Sequence, residues 1–390
     1  MYSIAIIIEQ IYDPNGGGVQ RSTSKLLKIF NEKGHKMILI CLHNIQMKSE
    51  FQNEDFKTYY VYGKDGGSKL ATILQENSID ICINQSGYSY NITKFLAGNK
   101  PKDTKLINTL RINPLCFYEN HKFFAQKYLK DKGLSFLDSK LFHYIVLKRH
   151  IFMQRKEVGY ILNKVDAYIL LSENFREELL FLVPNAKNYN NKISAIGNPF
   201  QLPESIADFN EKENIILYVG RLEVNQKRID LLMEIWKRLH QEIPDWSFWI
   251  VGEGGNEDEQ YMKEFCNKNN LNRVTFFGKQ NPIEFYKKSK IFHFTSAFEG
   301  FGNVLVESQS YGCVPILFDS YSAAKEIVND NQDGILIPPF DIDSFVTETI
   351  KLTQDNDRLI QMHKNGFENV KKYSFENTYK KWERVFNDIS

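Results

Sequence analysis

Cysteine is scarce in this sequence, and no two cysteines form a Cys-x-x-Cys pair. The five cysteines are scattered over 390 residues and odd in number, which argues against a disulfide framework and against a zinc knot. Isolated cysteines of this kind are typical of reduced core positions in a cytoplasmic protein. The cytoplasm is therefore the expected compartment.

Long apolar runs and a strong net charge are also absent. No stretch approaches the length of a membrane span, and no basic segment precedes the first strand-like run, so neither a spanning helix nor a signal peptide is expected. The net charge is +1, and no overall field argues for nucleic acid as a partner. Hydrophobic residues make up 42%, which suffices for the two domains that this length indicates.

Short apolar runs alternate with helical patterns along the chain. Seven strand candidates precede residue 197 and six follow residue 214, and several are continuous Ile, Leu and Val runs typical of buried parallel strands. This alternation predicts an α/β protein with parallel sheets. A polar link that begins at Gly197 sets the predicted boundary, with a first domain over 1–197 and a second over 198–374.

One segment, from Tyr118 to Lys164, interrupts the alternation. It is aromatic and rich in lysine and arginine, and it predicts one or two helices inserted into the first domain. Two interpretations stay open for residues 120–160. They contact an anionic membrane surface or a lipid-diphosphate acceptor, or they form a basic helix face exposed to solvent.

The stretch from Phe298 to Glu307 lies between a predicted buried strand and a predicted helix. The first N–H groups of a helix lack internal partners and carry the positive end of its dipole, so this turn can bind an anion. Two carboxylates, Glu299 and Glu307, bracket the turn and suit a ligand with hydroxyls as well as phosphates, such as a sugar nucleotide. Alternatively, Glu307 only complements the helix dipole and Glu299 is a loop residue.

Two further groups of residues are candidates for phosphate binding. Gly16–Gly18 follow the first strand and lead into a helix, although Arg21 breaks the dinucleotide-binding spacing, and a flexible turn is the alternative. In the second half, Arg221 ends a strand and Lys227 begins a helix six residues later. Such a pair can hold a diphosphate, and a surface salt bridge is the alternative.

Five motifs follow one another along the chain: Gly17-Gly18-Val19-Gln20, Gly220-Arg221 with Lys227, Gly252-Glu253-Gly254, Phe277-Gly278 and Glu299 to Glu307. In this order they resemble the motifs of the retaining glycosyltransferases of the GT4 family. The resemblance covers nearly the whole chain and is strongest between Asn214 and Pro338. It implies the GT-B fold, in which two Rossmann-like doubly wound parallel-sheet domains face each other across a cleft, with the last helix, 375–390, crossing back to the first domain.

The resemblance implies an acceptor-side first domain and a second domain that binds the nucleotide sugar. Arg221 and Lys227 would neutralise the donor diphosphate, opposite the N–H groups of Gly17 and Gly18. Glu307 would accept hydrogen bonds from the ribose, and Glu299 would hold hydroxyls of the donor sugar. The remaining predicted donor-binding residues are Gly220, Gly252, Gly278, Lys279, Gln280, Gly300, Phe301, Gly302, Asn303 and Val304.

Neither a metal nor another cofactor is expected. Fixed cations at the leaving diphosphate stabilise the charge that grows as the sugar C1–O bond breaks, so a metal is not needed for that purpose. Asp341-Ile342-Asp343 resembles the D-x-D motif of metal-dependent glycosyltransferases, but its position before a helical run favours helix capping.

Arg111 departs from the family pattern. It stands where many relatives carry a histidine near the donor sugar, and it joins Glu299, Arg221 and Lys227 as a predicted catalytic residue. A guanidinium can hold a hydroxyl or a phosphate, but it cannot act as a base at neutral pH.

The predicted function is transfer, with retention, of a hexose or N-acetylhexosamine from a nucleotide diphosphate sugar to a growing glycan. UDP is the expected nucleotide, and a lipid-linked precursor of a surface polysaccharide, as in lipopolysaccharide or capsule synthesis, is the expected acceptor. The expected location is the cytoplasm, with a peripheral position on the inner face of the cell membrane, where such an acceptor would be reached. Three alternatives stay open: a GT-B sugar-phosphate phosphorylase, a nucleotide-sugar epimerase, and a non-catalytic sugar-nucleotide-binding subunit.

Overall fold

The computed structural model describes residues 1–14, 16–43 and 56–390. Asn15, within the predicted glycine-rich loop, lies outside the described residues. The chain separates into two compact units, one of Met1–Pro199 with Thr378–Ser390 and one of Phe200–Asn377. The acceptor and donor roles assigned to the two domains from the sequence stay predictions.

The first unit is built on a seven-stranded parallel sheet of order β3-β2-β1-β4-β5-β6-β7. Its central strand is apolar and fully buried from Ile4 to Ile7, as expected for a strand covered on both faces. The strands are β1 (Ser3–Ile8), β2 (Lys36–Cys41), β3 (Lys57–Tyr60), β4 (Ile81–Asn84), β5 (Lys105–Thr109), β6 (Ala167–Leu170) and β7 (Ile193–Ala195).

Helices connect these strands, and the basic segment adds an insertion of its own. The insertion holds two longer helices and a four-residue one, because Gly133, at φ 69°, ends α5 and the Ser139 hydroxyl caps α6. The helices of this part are α1 (Gly18–Glu32), α2 (Gly66–Glu76), α3 (Tyr90–Asn99), α4 (Cys116–Glu119), α5 (His121–Asp131), α6 (Lys140–Lys164) and α7 (Asn174–Leu182).

The second unit contains a six-stranded parallel sheet of order β10-β9-β8-β11-β12-β13. Trp236, Phe248, Phe318 and Phe345 are among the large buried side chains of its core. Its strands are β8 (Glu213–Val219), β9 (Ser247–Val251), β10 (Val274–Phe276), β11 (Ser289–Phe294), β12 (Val314–Phe318) and β13 (Ile335–Ile337). Its helices are α8 (Val224–Lys227), α9 (Ile229–Glu242), α10 (Asn256–Lys268), α11 (Ile283–Lys288), α12 (Asn303–Ser310), α13 (Ala324–Ile327), α14 (Ile342–Gln354) and α15 (Asn356–Val370).

The chain ends in α16 (Phe375–Ile389), which packs on the first unit. The Trp382 ring meets Phe30 edge-on at 5.6 Å between ring centroids. The Tyr379 hydroxyl lies 3.0 Å from the imidazole Nε2 of His35. Burial of these aromatic side chains holds the end of the chain against α1 and β2.

The predicted fold class is confirmed, since both units are doubly wound α/β structures with parallel sheets. In each sheet the strand order reverses once, between β1 and β4 and between β8 and β11. Ligands of such sheets bind at the carboxyl ends of the strands beside this reversal. Gly17 and Gly18 follow β1, Arg221 follows β8 and Glu299 follows β11, and each of these strands lies beside a reversal.

Candidate active site

In the second unit, two loops follow the adjacent central strands β8 and β11. The strands are paired in parallel, with Leu217 opposite Phe292, so the loops leave the same edge of the sheet. The amide N–H of Ala297 donates to the Gln226 carbonyl at 2.7 Å, and the Gln226 side chain donates back to the Phe298 carbonyl at 3.1 Å. The sheet therefore joins the two predicted motifs into one site.

Lys227 and Glu299 form an ion pair at the centre of this site, with only 13% of each side chain exposed. The same Glu299 oxygen accepts a hydrogen bond from the Ser296 hydroxyl at 3.0 Å. The Lys227 ammonium also lies 5.8 Å from the centroid of the Phe294 ring. In the unliganded protein each charge thus neutralises the other, whereas the sequence assigned them separately to the diphosphate and the sugar.

The sequence predicted that Lys227 begins a helix, and this prediction is wrong. It ends α8, because Arg228 adopts a left-handed conformation at φ 51° and separates α8 from α9. This break directs the lysine toward the loop after β11, where the Thr295 hydroxyl donates to the Lys227 carbonyl at 2.8 Å.

Arg221, by contrast, is 68% exposed. Its guanidinium donates to the Gln226 side-chain oxygen at 2.7 Å and lies 3.5 Å from the Glu223 carboxylate. Exposed pairs of this type contribute about 0–1 kcal/mol, so Arg221 can leave them for an anionic ligand at little cost.

Two buried tyrosines that the sequence did not single out support these loops. The Tyr218 hydroxyl donates to the Arg221 carbonyl at 2.8 Å, and the Tyr321 hydroxyl donates to the Phe301 carbonyl at 3.4 Å. Burial raises the pKa of both hydroxyls, and the nearby Glu299 charge raises each pKa further. Both tyrosines therefore stay neutral hydrogen-bond donors.

The helix start predicted as an anion site is present at α12. Gly302 precedes it with φ 89°, and a Cβ there would lie 2.3 Å from the Tyr321 hydroxyl, so glycine is required. The helix begins at Asn303, and its first amides carry the positive end of the dipole. Gly300 and Val304 are half-buried beside this turn, whereas the Phe301 ring is buried against Tyr373.

Glu307 lies on α12, five residues into the helix. Its carboxylate is half-buried and lies 3.5 Å from the Tyr286 hydroxyl. The ring of Tyr286 stacks on the ring of Tyr311. Its predicted contact with a ribose stays a prediction.

The glycines of the Gly252-Glu253-Gly254 motif have a packing role. A Cβ on Gly252 would lie 1.8 Å from the Gly220 carbonyl oxygen, and one on Gly254 would lie 2.3 Å from the Leu222 carbonyl oxygen. The Gly252 amide also donates to the Gly278 carbonyl at 2.8 Å. These glycines let the loops that follow β8, β9 and β10 approach one another closely. This packing role is separate from any contact with the donor.

Two neighbours of this motif, Lys279 and Gln280, are on the surface. Lys279 pairs with the Glu253 carboxylate at 3.0 Å, with more than half of each side chain exposed. The Gln280 side chain donates to the Phe277 carbonyl at 3.1 Å. Their predicted donor contacts stay predictions.

The remaining predicted site residues, Gly17, Gly18 and Arg111, belong to the first unit. Gly17 precedes α1, and the side chain of Gln20 braces this loop by donating to the Ile11 carbonyl at 2.7 Å. Arg111 follows β5 and donates to the side-chain oxygens of Gln85 and Asn198 at 2.5 and 2.7 Å. Burial lowers the pKa of the Arg111 guanidinium to about 9, so it stays charged at neutral pH.

In the described part of the chain, no group of three or more His, Cys, Asp or Glu side chains is arranged to hold a metal ion. The Asp341 carboxylate caps α14, accepting from the Ser344 amide at 3.0 Å and from its hydroxyl at 2.7 Å. The capping interpretation of the Asp341 motif is thereby confirmed.

The two doubly wound sheets place the chain in the GT-B class. The apo lipopolysaccharide outer core galactosyltransferase WaaB has a TM-score of 0.70 at 19% identity, with 99% of both chains covered. TarM gives a TM-score of 0.75 at 15% identity, again over 99% of both chains. At these identities the likeness shows the fold, and the predicted GT-B fold is confirmed.

The amino-acid sequence, in addition to the fold, matches a known family over part of the chain. Residues 204–369 match the family described as glycosyl transferases group 1. The predicted resemblance to GT4-type glycosyltransferases is thereby confirmed.

Curated relatives extend over more of the chain. A 4-α-N-acetylgalactosaminyltransferase of Campylobacter jejuni, which by its name acts on a diphospho-undecaprenol-linked sugar, is 26% identical over 78% of this chain and 91% of its own. A lipopolysaccharide 1,6-galactosyltransferase of Salmonella typhimurium is 25% identical over 68% of this chain and 69% of its own.

Proposed function

We propose that this protein is a retaining glycosyltransferase that moves a hexose or N-acetylhexosamine from a nucleotide diphosphate sugar to a lipid-linked or surface glycan. The observation that carries the proposal is the Lys227–Glu299 pair beside the start of α12, at adjacent central strand ends. The names of relatives that act on diphospho-undecaprenol-linked sugars and on lipopolysaccharide support the acceptor class.

The charges of this site suit a leaving diphosphate. As the sugar C1–O bond breaks, the bonding electrons go to the diphosphate, whose negative charge grows while the sugar becomes cationic. Arg221, Lys227 and the first amides of α12 bind the growing negative charge more strongly in the transition state than in the ground state. These cations act without a metal in the proposed reaction.

Glu299 has two tasks in this proposal. Before the donor binds, its carboxylate neutralises Lys227. When the diphosphate takes over part of the lysine charge, Glu299 becomes available to accept hydrogen bonds from hydroxyls of the donor sugar. Glu307, farther along α12, accepts from the ribose. In a retaining reaction the leaving phosphate can deprotonate the acceptor on the same face of the sugar, so a separate protein base is not required.

Transfer assays with radiolabelled nucleotide sugars test this function. Arg221→Ala and Glu299→Ala should each lower the transfer rate, Arg221→Ala by about 10²–10³-fold, because one charge-stabilising group is lost. Arg238→Ala removes an exposed arginine of α9 that pairs with Asp343, so it is the matched control and should keep the wild-type rate.

Several outcomes would contradict the proposal. Unchanged rates in both site variants would remove their assigned roles. Turnover of the donor with no acceptor present would indicate an epimerase. Donor binding without any turnover would indicate a non-catalytic subunit.

We further propose that residues 120–160 rest on an anionic membrane, which would bring the enzyme to a lipid-linked acceptor on the inner face of the cell membrane. On α6, Leu141, Ile145 and Phe152 are 69%, 54% and 67% exposed, and their spacing puts them on one helical face. Phe136, just before α6, is 79% exposed. Lysines flank these apolar side chains, and such a mixture favours an anionic lipid surface.

Within the described residues, no helix is both long and apolar enough to cross a bilayer. The proposed contact is therefore with the membrane surface.

A further inference from the structure

The carboxyl ends of β4 and β5 in the first unit carry a cluster of polar side chains that are nearly inaccessible to solvent. Gln85 and Asn113 are each 1% exposed, and Asn198, which follows β7, is 5% exposed. Arg111 lies among them and contacts two of the three. We call Gln85, Arg111, Asn113 and Asn198 the Arg111 cluster. Polar groups are seldom buried in this number unless they bind one another or a ligand.

The orientation of each amide in the cluster follows from its partner. The Gln85 side-chain oxygen faces Arg111 Nε at 2.5 Å, and the Asn113 side-chain oxygen accepts from the Leu115 amide at 2.6 Å. The amide nitrogens of Gln85 and Asn113 must then point elsewhere, and they are donors. Each is buried and finds no acceptor among the described residues.

The Arg111 guanidinium leaves a third donor unused. Its Nε and Nη1 are bound to Gln85 and Asn198, whereas the buried Nη2 has no acceptor in the described part of the chain. Over residues 1–14, 16–43 and 56–390, no carboxylate pairs with this side chain, and both of its partners are neutral amides. A buried positive charge that only neutral groups surround is costly unless a ligand supplies the opposite charge.

The unused hydrogen-bond donors and the positive charge of the cluster indicate which ligand it can bind. Three buried donors are unused, on Gln85, Arg111 and Asn113, and the local charge is positive. A neutral hydroxyl would meet one of these donors and leave the charge uncompensated. A carboxylate or a phosphate supplies several acceptor oxygens and a negative charge, and a guanidinium binds both groups with paired hydrogen bonds.

We propose that the Arg111 cluster binds an oxyanion, a carboxylate or a phosphate group, that is carried by a sugar substrate. That the oxyanion belongs to a substrate rests on the proposed function, but its binding does not depend on transfer. The cluster would thus select acidic sugars over neutral ones. Arg111 and the side-chain amide nitrogens of Gln85 and Asn113 would contact the anion, and the side-chain oxygens of Gln85 and Asn198 position the guanidinium.

Ligand-observed NMR on the full chain can measure this preference without a donor or an acceptor. The probes are glucuronate, glucose 6-phosphate, inorganic phosphate and glucose. We expect glucuronate or glucose 6-phosphate to bind at least tenfold more tightly than glucose. A preference for glucuronate would assign a carboxylate, and a preference for glucose 6-phosphate or inorganic phosphate would assign a phosphoryl group.

Three variants locate the binding. Arg111→Gln should reduce the affinity for the acidic probe to that for glucose, and Arg111→Lys, which keeps the charge but loses the fork, should give an intermediate value. Lys102→Gln makes the same charge change at an exposed position before β5 and should leave the affinity unaltered. Circular dichroism of each variant verifies that it is folded.

Two results would overturn the proposal. One is equal binding of acidic and neutral sugars by the wild type, which would mean that water alone satisfies the cluster. The other is acidic-sugar binding that folded Arg111→Gln and Arg111→Lys retain in full. Since no transfer is measured, a failure of the proposed glycosyltransferase activity would leave these binding results unchanged.

Discussion

At the scale of single residues, the Lys227–Glu299 pair has the greatest consequence for the second unit. Its members are 72 residues apart in the sequence and nearly buried. Removing one partner of such a pair leaves a charge that has lost both water and counter-ion. An exposed lysine–glutamate pair in the same unit, Lys279 with Glu253, provides the comparison.

Glu299→Gln should therefore lower the free energy of unfolding of the second unit by about 2–4 kcal/mol, because Lys227 keeps its charge in a mostly dry site. Glu253→Gln breaks the exposed pair and should cost about 0–1 kcal/mol. Urea unfolding of both variants measures the difference. An equal loss of unfolding free energy in the two variants would show that burial of the Lys227–Glu299 pair does not increase the cost of breaking it.

A nucleoside diphosphate should partly restore the stability of the Glu299→Gln variant, since its phosphates replace the lost counter-charge of Lys227. UDP would then raise the melting temperature of this variant more than that of the wild type. No difference between the two shifts would argue that Lys227 does not meet the diphosphate.

Some residues could not be assigned from the sequence, and the reason is physical. The motif predicted Gly252 as a donor-binding residue, and it did not reveal that Gly252 and Gly254 pack against the carbonyls of Gly220 and Leu222 on the neighbouring chain segment. The two polar partners of Arg111, Gln85 and Asn198, follow two other strands, β4 and β7, so no local spacing reveals them. Contacts between distant strand ends depend on strand order, which periodicity alone does not give.

At the scale of elements, apolar runs were a reliable guide. The seven and six strands predicted from them are the strands of the two sheets, because a parallel strand that is covered on both faces must be apolar along its length. The basic insertion was located correctly, but its division into α4, α5 and α6 depends on a glycine and a serine cap rather than on periodicity.

The exposed apolar face of α6 makes a prediction at this scale. The wild-type protein should sediment with vesicles that contain anionic phosphatidylglycerol, and less with neutral vesicles or at high salt. Leu141→Asp combined with Phe152→Asp should abolish this binding, because both changes place charge on the face that would meet the lipid. Phe181→Asp, at an exposed position on α7, is the control.

Sedimentation of the double variant at the wild-type level, or binding that ignores lipid charge, would contradict the membrane contact. In that case α6 would be a solvent-exposed basic helix, the alternative that the sequence left open.

At the scale of the whole molecule, the chain is almost electrically neutral, with 49 basic and 48 acidic residues. No overall field can attract a nucleotide, so its affinity must come from local cations. Both units use the same arrangement, a reversal of strand order beside a glycine-bearing turn and a helix start. Arg221 is the exposed cation at that position in the second unit, and its neighbour Lys227 is already paired.

Calorimetric titration of the protein with UDP, GDP and ADP measures directly whether the cations of the second unit bind a nucleoside diphosphate. We predict that one of these nucleotides binds, that Arg221→Ala weakens its binding at least tenfold, and that Arg238→Ala binds it as tightly as the wild type. Failure of all three nucleotides to bind, or wild-type affinity of Arg221→Ala for the preferred nucleotide, would contradict a diphosphate site at Arg221.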